Sequence, residues 1–324
     1  MAKKPQQISS FKPDTDIQGY FLITEKSIRK TRAGDPYLDM ILQDETGRIS
    51  AKMWQGFEEQ TEGIAEGDAV VVKGHTDLYR NKLQLNVSKI GKVREEHTDY
   101  GFSPESLIAS SSRDPLEMFE EVKALIESVE DVFLKELLNL IYDENRERIM
   151  SFPAAKFIHH NFRSGLLEHT LSIANDASYF AKKYPDLNRD LLLAGSLLHD
   201  IGKVEELTGE IATAYTDEGN LVGHIILGRD MVREASKKID GFPKETLLLL
   251  DHMILSHQGK YEYASPRRPM IKEALLLYHI DEMDAKLNIF DKALEEDEND
   301  REWTDTNNYF GVPLYKGNRR KEKQ

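Results

Sequence analysis

The chain has 324 residues, 40% hydrophobic and 31% charged, with no cysteine and a formal net charge of −14. This is the composition of a globular protein long enough for two domains with sizeable cores. It excludes disulfides, thiolate metal sites and cysteine nucleophiles, fits a cytoplasmic protein, and contains no apolar run near the ~20 residues that span a bilayer.

The charge is unevenly spread. Residues 1–100 hold 15 Lys and Arg against 16 Asp and Glu, so nearly all of the acidic excess lies further on. A strongly acidic surface repels a polyanion, which leaves the near-neutral N-terminal part as the better surface for nucleic acid. The first residues, Met1 to Gln7, lack the apolar core of a signal peptide.

Residues 1–17 read as a polar leader. From Gln18 the pattern alternates as strands do. Strands are predicted at Gly19–Thr24, Tyr37–Asp44, Arg48–Trp54, Ala69–Gly74 and Lys82–Val87, with a short helical piece from Phe57 to Ile64 before the fourth. Five strands with a helix between the third and fourth predict an all-β OB-type barrel over residues 18–96. The stretch YLDMILQDETGRISAKMW resembles OB-fold nucleic-acid-binding domains. Such barrels hold single strands with stacking aromatics and a basic groove. The candidates here are Phe21, Tyr37, Trp54, Tyr79, Arg80 and Lys82, with the hairpin turn Tyr79-Arg80-Asn81-Lys82 the best local choice. The alternative is that half or more of these aromatics fill the barrel.

Residues 97–114 read as a linker, from His97-Thr98-Asp99-Tyr100-Gly101 to Ser110-Ser111-Ser112-Arg113-Asp114. Beyond it, apolar residues recur at spacings of three and four. Helices are predicted at 116–129, 132–142, 153–160, 165–183, 189–200, 221–239, 243–257 and 270–290, an all-α domain over residues 115–290. A solvated acidic run at 291–306 and a basic end from Lys316 to Gln324 make up the tail at 291–324. The aromatics of Trp303–Tyr315 offer a surface for docking, a second copy of the chain included.

The central stretch is Leu197-Leu198-His199-Asp200-Ile201-Gly202-Lys203. A His-Asp pair closing a buried helix is costly to desolvate unless something binds it, and a divalent metal suits both side chains. Other helices supply His169, His224, His257 and Asp281. Each alone is more often a core or surface residue. As an ordered set, His…His-Asp…His…His…Asp, they point to a metal site.

That order resembles the HD-domain metallophosphohydrolases, the subset with extra histidines that hold two metals. HHNFRSGLLEHT, LLHDIGK, GHI, ILSHQGKYEYASPRRP and LLLYHIDEMDAKLN are similar to the YhaM family of bacterial 3′-to-5′ exoribonucleases, built from an OB and an HD domain. One departure is Arg163-Ser164-Gly165, where that family is expected to carry Gly-Gly before the Leu. The resemblance implies His169, His199, Asp200 and Asp281 on a first metal, and His224 and His257 on a second with Asp200 bridging. It also implies Mn²⁺, with Fe²⁺ or Co²⁺ as alternatives for a mixed His and Asp set. The expected reaction is hydrolysis of single-stranded RNA, with ssDNA left open, to nucleoside 5′-monophosphates. Lys203 would stabilise phosphoryl charge, and His160, Arg163, Ser265 and Arg267 would hold the substrate phosphate or terminal ribose. The competing readings are a nucleotide or cyclic-dinucleotide phosphodiesterase, and a nucleic-acid-binding regulator with a vestigial site.

Overall fold

The computed structural model describes residues 5–80, 82–154, 162–209, 213–297, 299 and 301–317. The chain divides into two units, Met1–Ser112 with Thr208–Ala214, and Arg113–Leu207 with Tyr215–Gln324.

In the first unit β1 (Thr15–Lys30), β2 (Pro36–Asp44), β3 (Gly47–Met53), β4 (Ala69–Tyr79) and β5 (Lys82–Lys92) close a barrel in the order β1-β2-β3-β5-β4. The β3–β5 pair is parallel and the other four are antiparallel. A short helix, α1 (Phe57–Gln60), precedes β4. Alternation fixes the inward face: Leu38, Met40 and Leu42 from β2 and Ile49, Ala51 and Met53 from β3 are buried together. β1 is far longer than the predicted Gly19–Thr24. Its first half pairs with β4 and its second with β2, the register shifting between Ile23 and Glu25. Only the middle of the strand faces the core, so its polar ends carry no strand-like apolar signal.

The predicted linker is packed rather than extended. Two 3₁₀ turns, Glu95–Tyr100 and Pro104–Leu107, bring Leu107 under Tyr20 and Leu22, where it is fully buried.

The second unit is helical: α2 (Pro115–Glu127), α3 (Val132–Glu144), α4 (Arg146–Ser151), α5 (Gly165–Lys183), α6 (Arg189–Leu198), α7 (Lys203–Glu206), α8 (Asp217–Leu221), α9 (His224–Ser236), α10 (Lys244–Ser256) and α11 (Lys272–Glu296). Asp114, Asp131, Asn188 and Thr216 cap α2, α3, α6 and α8 through side-chain oxygens. Leu191, Leu192, Leu193, Leu197 and Leu198 make α6 apolar all round, and it runs through the core. The predicted helix 221–239 is two helices, broken at Gly223, whose φ of 80° is left-handed. Pro153 and Ala154 of the predicted helix 153–160 are not helical, and the rest of it lies outside the described residues. No described helix is long and apolar enough to cross a membrane.

The predicted solvated acidic run is largely ordered. α11 continues to Glu296, and a folded strip follows. Lys316 Nζ lies 2.5 Å from Asp297 Oδ1, both side chains nearly buried. Trp303 bridges to Tyr315, Thr304 N donates to Leu314 O, and Phe310 packs on Phe290 at 5.4 Å. Lys316 therefore belongs to the fold rather than to a mobile basic end.

Candidate metal centre

Five helices deliver the donor groups. His169 lies in α5, His199 follows the last residue of α6, His224 opens α9, His257 follows α10, and Asp281 lies in α11. Asp200 sits in the turn between α6 and α7. That turn approaches α9 closely. A Cβ on Gly202 would stand 2.0 Å from the His224 carbonyl oxygen and 2.4 Å from Gly228 N, so only glycine fits there.

Two donor groups share Asp200. His169 Nε2 lies 3.3 Å from His199 Nε2, 3.3 Å from Asp281 Oδ1 and 3.6 Å from Asp200 Oδ2; His199 Nε2 is 3.4 Å from that same oxygen. The other oxygen, Asp200 Oδ1, lies 3.5 Å from His224 Nε2 and 3.7 Å from His257 Nε2. Donor atoms bonded to one cation at about 2.1 Å stand roughly 3.0–3.5 Å apart, so the separations fit.

The Nδ1 partners fix which nitrogen faces inward. His169 Nδ1 meets Asp284 Oδ2 at 2.8 Å, His199 Nδ1 the Ser196 carbonyl at 2.7 Å, His224 Nδ1 Glu206 Oε1 at 2.9 Å, and His257 Nδ1 the Ile254 carbonyl at 2.7 Å. Each acceptor takes a hydrogen bond from Nδ1–H and turns Nε2 toward the cluster, where it ligates once it carries no proton. Gln258 Nε2 donates to His257 Nε2 at 3.1 Å. Asp200 Oδ1 and His224 Nε2 are buried with no hydrogen-bond partner among the described residues. Two acceptors in that state at 3.5 Å are expensive unless a cation lies between them, and the donor set fits a divalent ion on that ground.

The electrostatics agree. Burial works to raise the Asp200 carboxyl, but Lys203, His199 and His224 outweigh it and hold it well below the ordinary carboxylate range. Burial likewise opposes ionisation of Asp281, yet its bond to His169 brings it down to about 2. His169 is pushed up to about 9 against its burial by Asp281 and Asp284, so the chain alone keeps a positive charge where a cation would take its place. Burial takes His257 down to about 4, leaving it neutral and able to ligate.

Asp284, one turn past Asp281 on α11, accepts from His169 and, at 2.6 Å, from Ser172 Oγ. Glu206 went unseen, although its spacing from Lys203 puts both on one helical turn. It accepts from both the ring and the backbone N–H of His224.

The other predicted site residues separate into two sets. Lys203 is buried, donates to Asp200 Oδ2 at 2.5 Å, and lines a cavity of ≈ 340 Å³ shared with Asp200, His224, His257 and Asp281. Arg163 lies exposed just before α5 and is not among the described residues that line that cavity. Ser265 is buried with its hydroxyl donating to the Arg267 carbonyl, and Arg267 sits beside His252. These two build the loop after α10 and do not line the cavity. His160 lies outside the described residues. Ser164, where glycine was expected, has a left-handed φ of 66° and donates its hydroxyl to the Met150 carbonyl at 2.7 Å, so it adopts the conformation that glycine would take freely.

On the barrel, Lys52 lies 5.3, 5.7 and 5.5 Å from the ring centres of Tyr37, Trp54 and Tyr79, and Arg80 lies 5.3 Å from Tyr79. Trp54 and Tyr79 are about half exposed. Lys82 begins β5 opposite Tyr79. Phe21 is a correction: it is fully buried and fills the barrel.

Fold and donor set together define an HD-domain protein with an OB barrel in the same chain. The HD domain family matches residues 166–286, and the OB-fold nucleic acid binding domain family matches residues 23–93. The 3′-5′ exoribonuclease YhaM of Bacillus subtilis (strain 168) is 37% identical over 281 residues, covering 86% of this chain and 88% of that protein. The YhaM of Geobacillus sp. (strain WCH70) is 38% identical over 283 residues, 86% and 85% of the two chains, and that of Listeria monocytogenes serotype 4b (strain F2365) 37% over 281, 85% and 87%. The chain belongs to the YhaM 3′-5′ exoribonuclease family.

Proposed function

We propose that this chain is a divalent-metal-dependent 3′-to-5′ exoribonuclease that releases nucleoside 5′-monophosphates from single-stranded RNA, and from ssDNA where the pocket tolerates a missing 2′-hydroxyl. The observation that carries the reading is the pair of donor groups sharing Asp200, with two of their buried acceptors unpartnered. His169, His199, Asp200 and Asp281 would hold one ion, and Asp200, His224 and His257 the other. Mn²⁺ suits this set, with Fe²⁺ or Co²⁺ as alternatives.

Bound ions supply Lewis acidity at the phosphoryl oxygens and lower the pKa of water. The chain supplies the rest. Asp284 and Glu206 hold the rings of His169 and His224 in one orientation. Lys203 keeps Asp200 ionised and carries positive charge into the cavity, where phosphoryl oxygens must come. Water adds to the terminal phosphorus, and the bond to the 3′-oxygen of the preceding nucleotide breaks. The exposed Trp54 and Tyr79 and the half-buried Tyr37, with Lys52 and Arg80, suit stacking and backbone contact with a single strand.

A time course on 5′-labelled and 3′-labelled RNA with Mn²⁺, Mg²⁺ or chelator tests this. A ladder from the 5′-labelled strand, released mononucleotide from the 3′-labelled one, and silence in chelator are expected. Hydrolysis of mononucleotides or cyclic dinucleotides alone would establish the phosphodiesterase reading instead. RNA binding with no hydrolysis under any metal would leave a regulator.

A further inference from the structure

The cavity beside the donor groups has a second end that the metal chemistry does not use. Asp281, Ala285 and Ile289 line it at intervals of four residues, on one face of α11. At 1.5 Å per residue, Ile289 lies about 12 Å along the helix from Asp281. Four tyrosines line the same cavity, and two of them, Tyr263 and Tyr309, neighbour Lys286. Tyr263 ends the 3₁₀ turn Tyr261–Tyr263 after α10, and Tyr309 comes from the strip that follows α11. Both act electrostatically on Lys286, so they stand at its end of the cavity. The strip is held there by Phe310 on Phe290 and by Lys316 on Asp297.

Tyr263 and Tyr309 are 42% and 58% exposed, and Ala285 and Ile289 beside them on α11 are half-buried. Exposed aromatic rings with an aliphatic floor, in a cavity whose other end gathers cation ligands, suit a flat π-system tethered to a phosphate.

We infer that Tyr263 and Tyr309, over Ala285 and Ile289, form the subsite that stacks the base of the 3′-terminal nucleotide while its phosphate lies at the donor cluster. This rests on the proposed exonuclease reading and adds where the departing nucleotide sits. Stacking reads no base edge, so the subsite takes any of the four bases. It also gives the strip after α11 a purpose: it carries one wall of the substrate pocket.

The test compares adenosine 5′-monophosphate with ribose 5-phosphate, which lacks the base, by calorimetry on the full Mn²⁺-loaded chain. The base is expected to tighten binding about 5- to 150-fold. Tyr309→Ala or Tyr263→Ala should shrink that ratio by at least fivefold, and Tyr309→Phe should keep it. Melting temperatures within about 2 °C of the parent would show that the variants fold. In parallel, RNA with an abasic 3′-terminal residue should be shortened more slowly by the parent, and at a rate closer to that of ordinary RNA by Tyr309→Ala. A base-to-no-base ratio near one in the parent, or one unchanged in both alanine variants, overturns the inference even if RNA is degraded. A ratio that falls as expected with no RNA shortened at all would sink the exonuclease reading and leave a nucleotide-stacking site.

Discussion

Replacing Gly202 by alanine tests whether the turn between α6 and α7 sets the geometry of the donor cluster. The added Cβ would meet the His224 carbonyl oxygen at 2.0 Å. Relief to about 3 Å requires the turn and α9 to part by roughly 1 Å. Carried to the side chains, that opens the 3.5 Å gap between Asp200 Oδ1 and His224 Nε2 to about 4.5 Å. Two ligands on one ion with bonds of about 2.1 Å cannot stand further apart than roughly 4.2 Å. The ion shared by Asp200, His224 and His257 should therefore bind far more weakly, while His169, His199, Asp200 and Asp281 keep theirs. Forcing an atom into packed backbone costs about 1–3 kcal/mol, which at roughly 2–4 °C per kcal/mol for a unit of this size is a visible fall in melting temperature. Displacement of about 1 Å at reacting groups costs on the order of 100-fold in rate. Mn²⁺ calorimetry, melting and single-turnover RNA hydrolysis measure the three effects. Two Mn²⁺ bound with parental affinity and a rate within threefold of the parent would refute the reasoning.

Asp284→Asn removes the carboxylate that holds His169 and Ser172; Mn²⁺ affinity should fall about 10- to 100-fold by titration, and an unchanged affinity would mean that packing alone orients His169. Trp54→Ala should weaken single-stranded RNA binding by about 1–3 kcal/mol in a fluorescence titration. Phe21→Leu, inside the barrel, should lower the melting temperature and leave RNA affinity alone. Lys316→Met leaves the nearly buried Asp297 carboxylate without its partner, at a cost of about 1–2 kcal/mol, and proteolysis should then begin within 297–317. Burial works to raise the Asp297 carboxyl, but Lys316 and the backbone N–H groups of Asp305 and Asn299 outweigh it and hold it below its ordinary value. The strip's stability from that pair is therefore complete above about pH 4 and lost as pH falls through the depressed value. The Lys316→Met protein should show a shallower acid limb in a pH series of melts, since the backbone N–H groups of Asn299 and Asp305 still bond Asp297.

The barrel's inner face was legible because Leu38, Met40 and Leu42, then Ile49, Ala51 and Met53, alternate without interruption. β1 was not, because half its length pairs through backbone while showing polar side chains outward. The residues of the donor cluster were legible because chemistry restricts them to His and Asp in a fixed order, with His199, His224 and His257 at or next to helix ends. Their supports were less so: Glu206 and Asp284 look like any helical surface carboxylate until folding sets them against a ring. Ser265 and Arg267 stand close in sequence to His257, yet the Ser265 hydroxyl turns to the Arg267 carbonyl, a contact that sequence proximity does not reveal. The strip after α11 reads as acidic and solvated by composition, yet one lysine and two aromatic pairs order it.

His199 and His257 share a detail whose effect reaches beyond ligand orientation. Each donates Nδ1–H to the carbonyl three residues back, Ser196 O and Ile254 O, in the last turn of its own helix. The ring that would face a cation is thus also the cap of a helix that runs into the core. Saturating the Nε2 side stiffens the ring and, through it, the terminal turns of α6 and α10. Amide hydrogens in those turns should exchange more slowly as metal is added, and unfolding of the helical unit should become metal-linked. Metal scarcity would then loosen two core helices from their ends as well as silencing the chemistry, so that protein abundance and protein activity respond to the same ion.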